Sequence, residues 1–326
     1  MKTQQERQSK GGKQEQSKTR QMYHEAVEEH WHPGGDEVVP SRYALEVGAI
    51  DVMVVSDGIL SLPTHMLATN ADASERAEWL DHMFLPPETL DWPLNVVVVQ
   101  SGGRTILIDA GLGGDPDLDL ARAGRLNMRL QAAGIDLASV TDVVLTHMHM
   151  DHIGGLLVDG VRERMRPDLR VHLAAAEAEF WEAPDFSRTA MPPGFPDALR
   201  ASAKRFLEEY RGNLCPFENE CEVAPGVMAH RTGGHTPGHS VIRLASGSDR
   251  LTFAGDAVFA VGFEQPEWHN GFEHDPEEAA RVRVRLLREL ASTGEPLVAT
   301  HLPFPSVCHV AAAGGVFRWA PAFWEY

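Results

Sequence analysis

The chain has 326 residues, 43% of them hydrophobic, and a formal net charge of −18 at pH 7. That length suits one large domain or two modest ones, and the composition supplies an ample core. The acidic balance argues against nucleic acid or an anionic membrane as a partner. The first twenty residues run the other way, with six Lys or Arg against two Glu, which leaves the rest near −22.

Residues 1–40 begin with a stretch rich in Gln, Lys, Ser and Gly and almost without apolar side chains. Such a segment buries too little surface to offset its ordering entropy, so a disordered or extended arm is expected there. His24, His30 and His32 then read as surface histidines. The opening lacks the apolar core of a signal peptide, and nowhere do roughly 18 uninterrupted apolar residues signal a membrane span. A cytoplasmic location follows as the expectation, with Cys215, Cys221 and Cys308 as free thiols.

In chain order, alternation over residues 49–56 predicts a strand closed by an Asp57-Gly58 turn. Runs of Val and Ile at 95–100 and 105–109 predict strands covered on both faces and joined at Gly102-Gly103. Residues 121–134 have helical spacing and end at a glycine. The strand 143–145 runs directly into a histidine cluster. Helices are expected at 174–181, 196–210 and 276–291, and strands at 227–231, 240–244, 250–254 and 297–300. This alternation predicts an α/β fold in which two mixed β-sheets pack face to face with helices outside, as one domain over 41–326.

The chemistry concentrates in Thr146-His147-Met148-His149-Met150-Asp151-His152. In an extended segment His147, His149 and Asp151 project to one side, and a helix starting near His152 turns that ring toward the same space. Imidazole and carboxylate suit zinc and leave a position for water. Four donors cannot complete two sites, but three more follow strand or glycine-turn signals: His235, Asp256 and His301. The seven together are the number that two ions sharing a bridging carboxylate require. A GxSxG elbow, a phosphate loop and a dinucleotide fingerprint are not found.

Thr146 to His152, with Gly234-His235-Thr236-Pro237-Gly238-His239, Ala254-Gly255-Asp256 and Ala299-Thr300-His301, resembles the metallo-β-lactamase superfamily and its HxHxDH hallmark. Val54 to Gly58, Gly154-Gly155-Leu156, His301 to Pro305, His309 and the aromatic C-terminus look most like the methyl parathion hydrolase group; acyl-homoserine lactonases share the same ligands. The resemblance implies a four-layer αββα sandwich and two divalent ions, with zinc the expected metal. By that likeness His147, His149 and His235 would hold one ion, and Asp151, His152 and His301 the other. Asp256 would bridge them, Asp109 would orient a ligand histidine, and His239 would be structural. A homodimer is part of the same implication.

A hydroxide bridging two ions would cleave an ester-like, phosphotriester or lactone bond of a small apolar or aromatic substrate, with Asp151 orienting it and shuttling a proton. A dehalogenase, a lactonase or an iron-dependent thiol-oxidising relative is the alternative. Where the lactonases carry a tyrosine three residues past the bridging Asp, this chain has Phe259, which donates no proton. Phe259, Phe263, Trp268 and His269, with Phe272, form an aromatic-rich stretch expected to wall a substrate pocket.

Overall fold

Val96, Val97, Val98 and Val99 are all buried, at 0–3% exposure, so the strand that carries them has a core on each side. Val97 and Val99 face one apolar cluster with Ile106 and Ile108, while Val96 and Val98 face another with Leu107 and Val143. This alternation at period two places the sheet in the interior of a layered structure. The structure is a computed structural model that describes residues 40–114 and 122–323.

Two seven-stranded mixed sheets form the centre. The first runs in the order β1 (Arg42–Val47), β2 (Ile50–Pro63), β3 (Thr89–Ser101), β4 (Arg104–Ile108), β5 (Asp142–Val144), β6 (Arg170–Ala174) and β7 (Leu214–Phe217). It is antiparallel to β4 and parallel from there on. The second contains β8 (Glu220–Ala224), β9 (Val227–Arg231), β10 (Ser240–Ser246), β11 (Asp249–Phe253), β12 (Leu297–Val298), β13 (Cys308–Ala313) and β14 (Val316–Pro321), also paired in order. Only its β11–β12 pair is parallel.

Val52, Val54, Ile106 and Val144 meet Ala229, Ile242, Leu244 and Phe253 between the sheets. The outer face of the first sheet is covered by helices Leu126–Ala132 and Phe195–Tyr210, through Leu130, Leu199, Phe206 and Tyr210. Helix Pro276–Thr293 covers the second sheet through Val282, Leu286, Leu287 and Leu290. The layers are therefore helix, sheet, sheet, helix, as expected.

Three local expectations are corrected. Asp57-Gly58 is not a turn: β2 continues to Pro63 through a bulge there, because the buried Asp57 carboxylate accepts the backbone N–H groups of Leu112 and Leu126 and holds the strand in place. The histidine run is not extended throughout, since β5 stops at Val144 and a helical turn Met150–Ile153 starts after His149. The helix expected from residue 121 begins at Leu126, and residue 121 lies outside the described residues, as do His24, His30, His32 and Trp324. Of the C-terminal aromatics, Phe317 and Trp319 pack on the second sheet while Phe323 is exposed. No helix among the described residues is long and apolar enough to cross a membrane.

Candidate metal centre

Each of the seven donors stands on a connection that follows a strand. His147, His149, Asp151 and His152 follow β5, His235 lies between β9 and β10, Asp256 follows β11 and His301 follows β12, while the supporting Asp109 follows β4. The strands end together, so residues far apart in sequence converge on one buried space.

Candidate ligand atoms lie close together there. His147 Nε2 and His235 Nε2 each lie 3.0 Å from His149 Nδ1. Asp151 Oδ2 lies 3.4 Å from His301 Nε2 and 3.6 Å from His152 Nε2. Asp256 spans both sets: its Oδ2 is 3.4 Å from His235 Nε2 and 3.1 Å from His301 Nε2, and its Oδ1 is 3.3 Å from His152 Nε2. The triads His147/His149/His235, His147/His152/Asp256 and Asp151/His152/His301 each bring their ligand atoms within 4.8 Å.

The donor chemistry fits divalent ions. Atoms around one tetrahedral zinc with bonds of about 2.0–2.1 Å lie about 3.3 Å apart. His152 Nε2 and Asp256 Oδ1 are buried without a hydrogen-bond partner, an arrangement that is costly unless something else satisfies them. Burial, then the neighbouring imidazoles, push His147 and His149 well below the usual histidine range and keep them neutral, as metal ligands must be. Burial likewise lowers His235. At His152 burial opposes charging, but Asp256, Asp151 and Asp109 overcome it and raise the pKa, the attraction that a cation at this point would feel.

The far side of each ring is also held. His152 Nδ1 donates to Asp109 Oδ2 at 2.8 Å, and His301 Nδ1 donates to the Pro93 carbonyl at 2.8 Å. Asp109 further accepts from Thr146 N and Thr146 Oγ1, both at 2.8 Å, and has φ 58°, a left-handed conformation that Asp tolerates better than most residues. His239 makes the structural contacts expected of it: Nε2 accepts from Asp256 N at 3.1 Å and Nδ1 donates to Thr232 Oγ1 at 2.8 Å. His274, which no local pattern singles out, donates from Nδ1 to the Asp185 carbonyl and sets Nε2 3.4 Å from His149 Nε2. Burial lowers its pKa to about 4, so it stays a neutral acceptor for the His149 N–H. Glu177 and Trp92 are equally silent in the sequence.

The cavity beside the cluster corrects the expected pocket. Its walls are Leu60, Leu62, Trp92, Phe195, Leu199 and Phe272, with His149, Asp151, Asp256 and His301 at its polar end. Of the expected stretch only Phe272 lines it. Phe259 lies flat against the His301 ring instead, centroids 5.6 Å apart and planes within 8°. Phe263 is drawn into the core under helix Pro276–Thr293 by the helical turn Val261–Glu264. Trp268 and His269 line a separate groove with Arg281, Arg285 and Arg288. The cause is Arg283, which is buried and donates to the carbonyls of Ala257, Pro266 and Trp268, drawing the loop to the helix.

Comparison with known proteins agrees with this architecture. The family model described as "Metallo-beta-lactamase superfamily" matches residues 90–301, a span that includes all seven donors. A probable metallo-hydrolase of Mycobacterium tuberculosis is 26% identical over 194 residues, covering 52% of this chain and 57% of that protein. The chain thus spans little more than half the length of that curated relative. An atrochrysone carboxyl ACP thioesterase of Passalora fulva is 28% identical over 173 residues, 52% of this chain and 39% of the relative. Among solved structures, AidC, a dizinc quorum-quenching lactonase in complex with a product, superposes with a TM-score of 0.80 at 24% identity, covering 88% of this chain and 99% of that one. The hydrolase AbOPH superposes with a TM-score of 0.76 at 25% identity, covering 89% and 100%. Strand-end histidines and aspartates meeting at one edge of an αββα sandwich, within a matched family span, make this chain a member of the metallo-beta-lactamase superfamily.

Proposed function

We propose that this chain is a two-ion hydrolase of ester-like bonds, including phosphotriester and lactone bonds, in small substrates with an apolar or aromatic group. The observation that carries this reading is Asp256, whose two oxygens face His235 and His301 on one side and His152 on the other. His147, His149 and His235 would hold one ion, Asp151, His152 and His301 the second, and Asp256 both. Two such ions, zinc by the nitrogen-rich donor set, supply water with a pKa lowered to about 7 and polarise the oxygen of the scissile group.

The chain's own residues do the rest. Leu60, Leu62, Phe195 and Phe272 offer an apolar wall to the substrate and exclude water from its side of the cavity. Asp151 is the most exposed of the carboxylates at the cluster and faces the cavity, placed to orient the attacking water and carry its proton. Phe259 provides no second proton donor near His301. Leaving groups that depart as stable anions, such as aryloxides, therefore suit the site better than the alkoxide of a lactone.

A panel of chromogenic aryl esters, lactones and aryl phosphotriesters, run with zinc titrated to known stoichiometry, tests this. Hydrolysis that rises with the second equivalent of zinc and falls by orders of magnitude in His149→Ala or Asp256→Ala is expected. Full turnover in either metal-analysed variant overturns the reading.

A further inference from the structure

The second donor set has a buried carboxylate behind it, Asp109. The first set has one too, and it comes from a part of the chain with no metal-binding pattern. Glu177 lies in the first turn of helix Ala175–Glu182, fully buried. Its Oε1 accepts from the backbone N–H of Met148 at 2.9 Å and from Trp181 Nε1 at 2.8 Å. Its Oε2 accepts from Thr236 Oγ1 at 2.6 Å and from the backbone N–H of Gly238 at 3.0 Å.

The division between the two oxygens is informative. Met148 separates His147 from His149, and the Trp181 ring stands edge-on to His149 with centroids 5.8 Å apart. Thr236 and Gly238 lie in the turn that directly follows His235. One oxygen thus holds the His147–His149 segment and the other the His235 turn. The approach is so close that a methyl group at Gly238 would fall on the backbone of Glu177. A carboxylate is the side chain able to accept on both ends at once, and four donors are enough to keep it in a buried place.

We propose that Glu177 is a positioning residue for the first donor set: without touching an ion, it fixes the spacing of His147, His149 and His235. The inference rests on the two-ion reading above. Glu177→Gln is the informative change, because an amide accepts at one end only and must turn N–H groups toward one pair of existing donors. The link between the two segments is then broken while the volume is kept.

The test reads zinc affinity by competition with a chromogenic chelator, not turnover. Glu177→Gln is made in the parent, in His301→Ala, which leaves the first set, and in His149→Ala, which leaves the second. Zinc affinity is expected to fall about 10–100-fold in the His301→Ala background and to stay unchanged in the His149→Ala background. Equal losses in both backgrounds show a general structural role and overturn the proposal, as does no loss in either. Should Glu177→Gln fail to fold, Thr236→Val removes one donor from Oε2 and is read in the same two backgrounds. A parent that binds only one zinc defeats the two-ion reading; the affinity of that one ion with and without Glu177→Gln still decides the role of Glu177.

Discussion

His152 and Asp109 are joined by a hydrogen bond of 2.8 Å from imidazole Nδ1 to carboxylate Oδ2, which turns the other ring nitrogen of His152 toward Asp256. Asp109 also takes both donors of Thr146, whose hydroxyl oxygen lies 3.0 Å from His147 Nδ1. Asp109→Asn keeps the shape but turns an N–H2 group toward donors or loses the charge that favours the metal-facing tautomer. Zinc affinity is expected to fall about 10–100-fold, with the fold intact. Chelator competition alongside circular dichroism measures both; an unchanged affinity refutes the role.

Phe259 stacks on His301 at the sequence position where the lactonases carry a tyrosine. Phe259→Tyr adds a hydroxyl there without changing the ring. Turnover of lactones is expected to rise about tenfold or more, while that of 4-nitrophenyl esters, whose leaving group needs no proton, changes little. The ratio of the two kcat/KM values is the measurement, and a ratio that stays constant counts against the proton-donor argument.

Arg283 and Glu273 form a buried ion pair that ties the loop after Asp256 to helix Pro276–Thr293. Arg283→Met strands the Glu273 carboxylate and is expected to cost about 3–5 kcal/mol near pH 8. Burial raises the Glu273 pKa from 4.5 to about 7, even against Arg283. An acid raised in the folded state stabilises fully below its ordinary pKa, and that contribution is lost as pH rises through about 7. The variant should therefore lose less stability at pH 6, where the stranded carboxyl is protonated, than at pH 8. Urea unfolding at the two values decides it.

Asp142 lies buried at the end of β4, β5 and β6, with Arg104, Arg170, His172 and Thr141 around it. Burial alone would raise its pKa, but hydrogen bonds from His172, Arg104 and Thr141 hold it at about 2. A depressed acid stabilises above its ordinary pKa, here 3.8, and loses that contribution as pH falls toward 2. Thermal unfolding of the metal-free protein between pH 4 and 2 should show a shallower slope in Asp142→Asn than in the parent.

The layered fold was legible because the Val and Ile runs of β3 and β4 are continuous, and only strands covered on both faces tolerate that pattern. Strands β1, β6, β7, β8, β13 and β14 were missed. Most are short or mixed in character, as in Leu214–Phe217, where a proline and a cysteine interrupt the pattern. The candidate ligands could be picked out, and the structure brings them together, because histidine and aspartate at strand ends are unusual in such density. The cavity was not, because Phe263 and Trp268 have the composition of pocket walls and Arg283, fifteen and more residues on, draws their loop away.

The sequence by itself determined the layered class of fold and the order of the candidate ligands along the chain, since hydrophobic period and side-chain chemistry are local properties. Only the tertiary structure decided which oxygen of Asp256 faces which imidazole, which rings wall the cavity, and that Glu177 and His274 stand behind His149. The places of Glu177 and His274 depend on contacts 29 and 125 positions apart, and all of these features are set by how the two sheets and their helices pack, which no local pattern encodes.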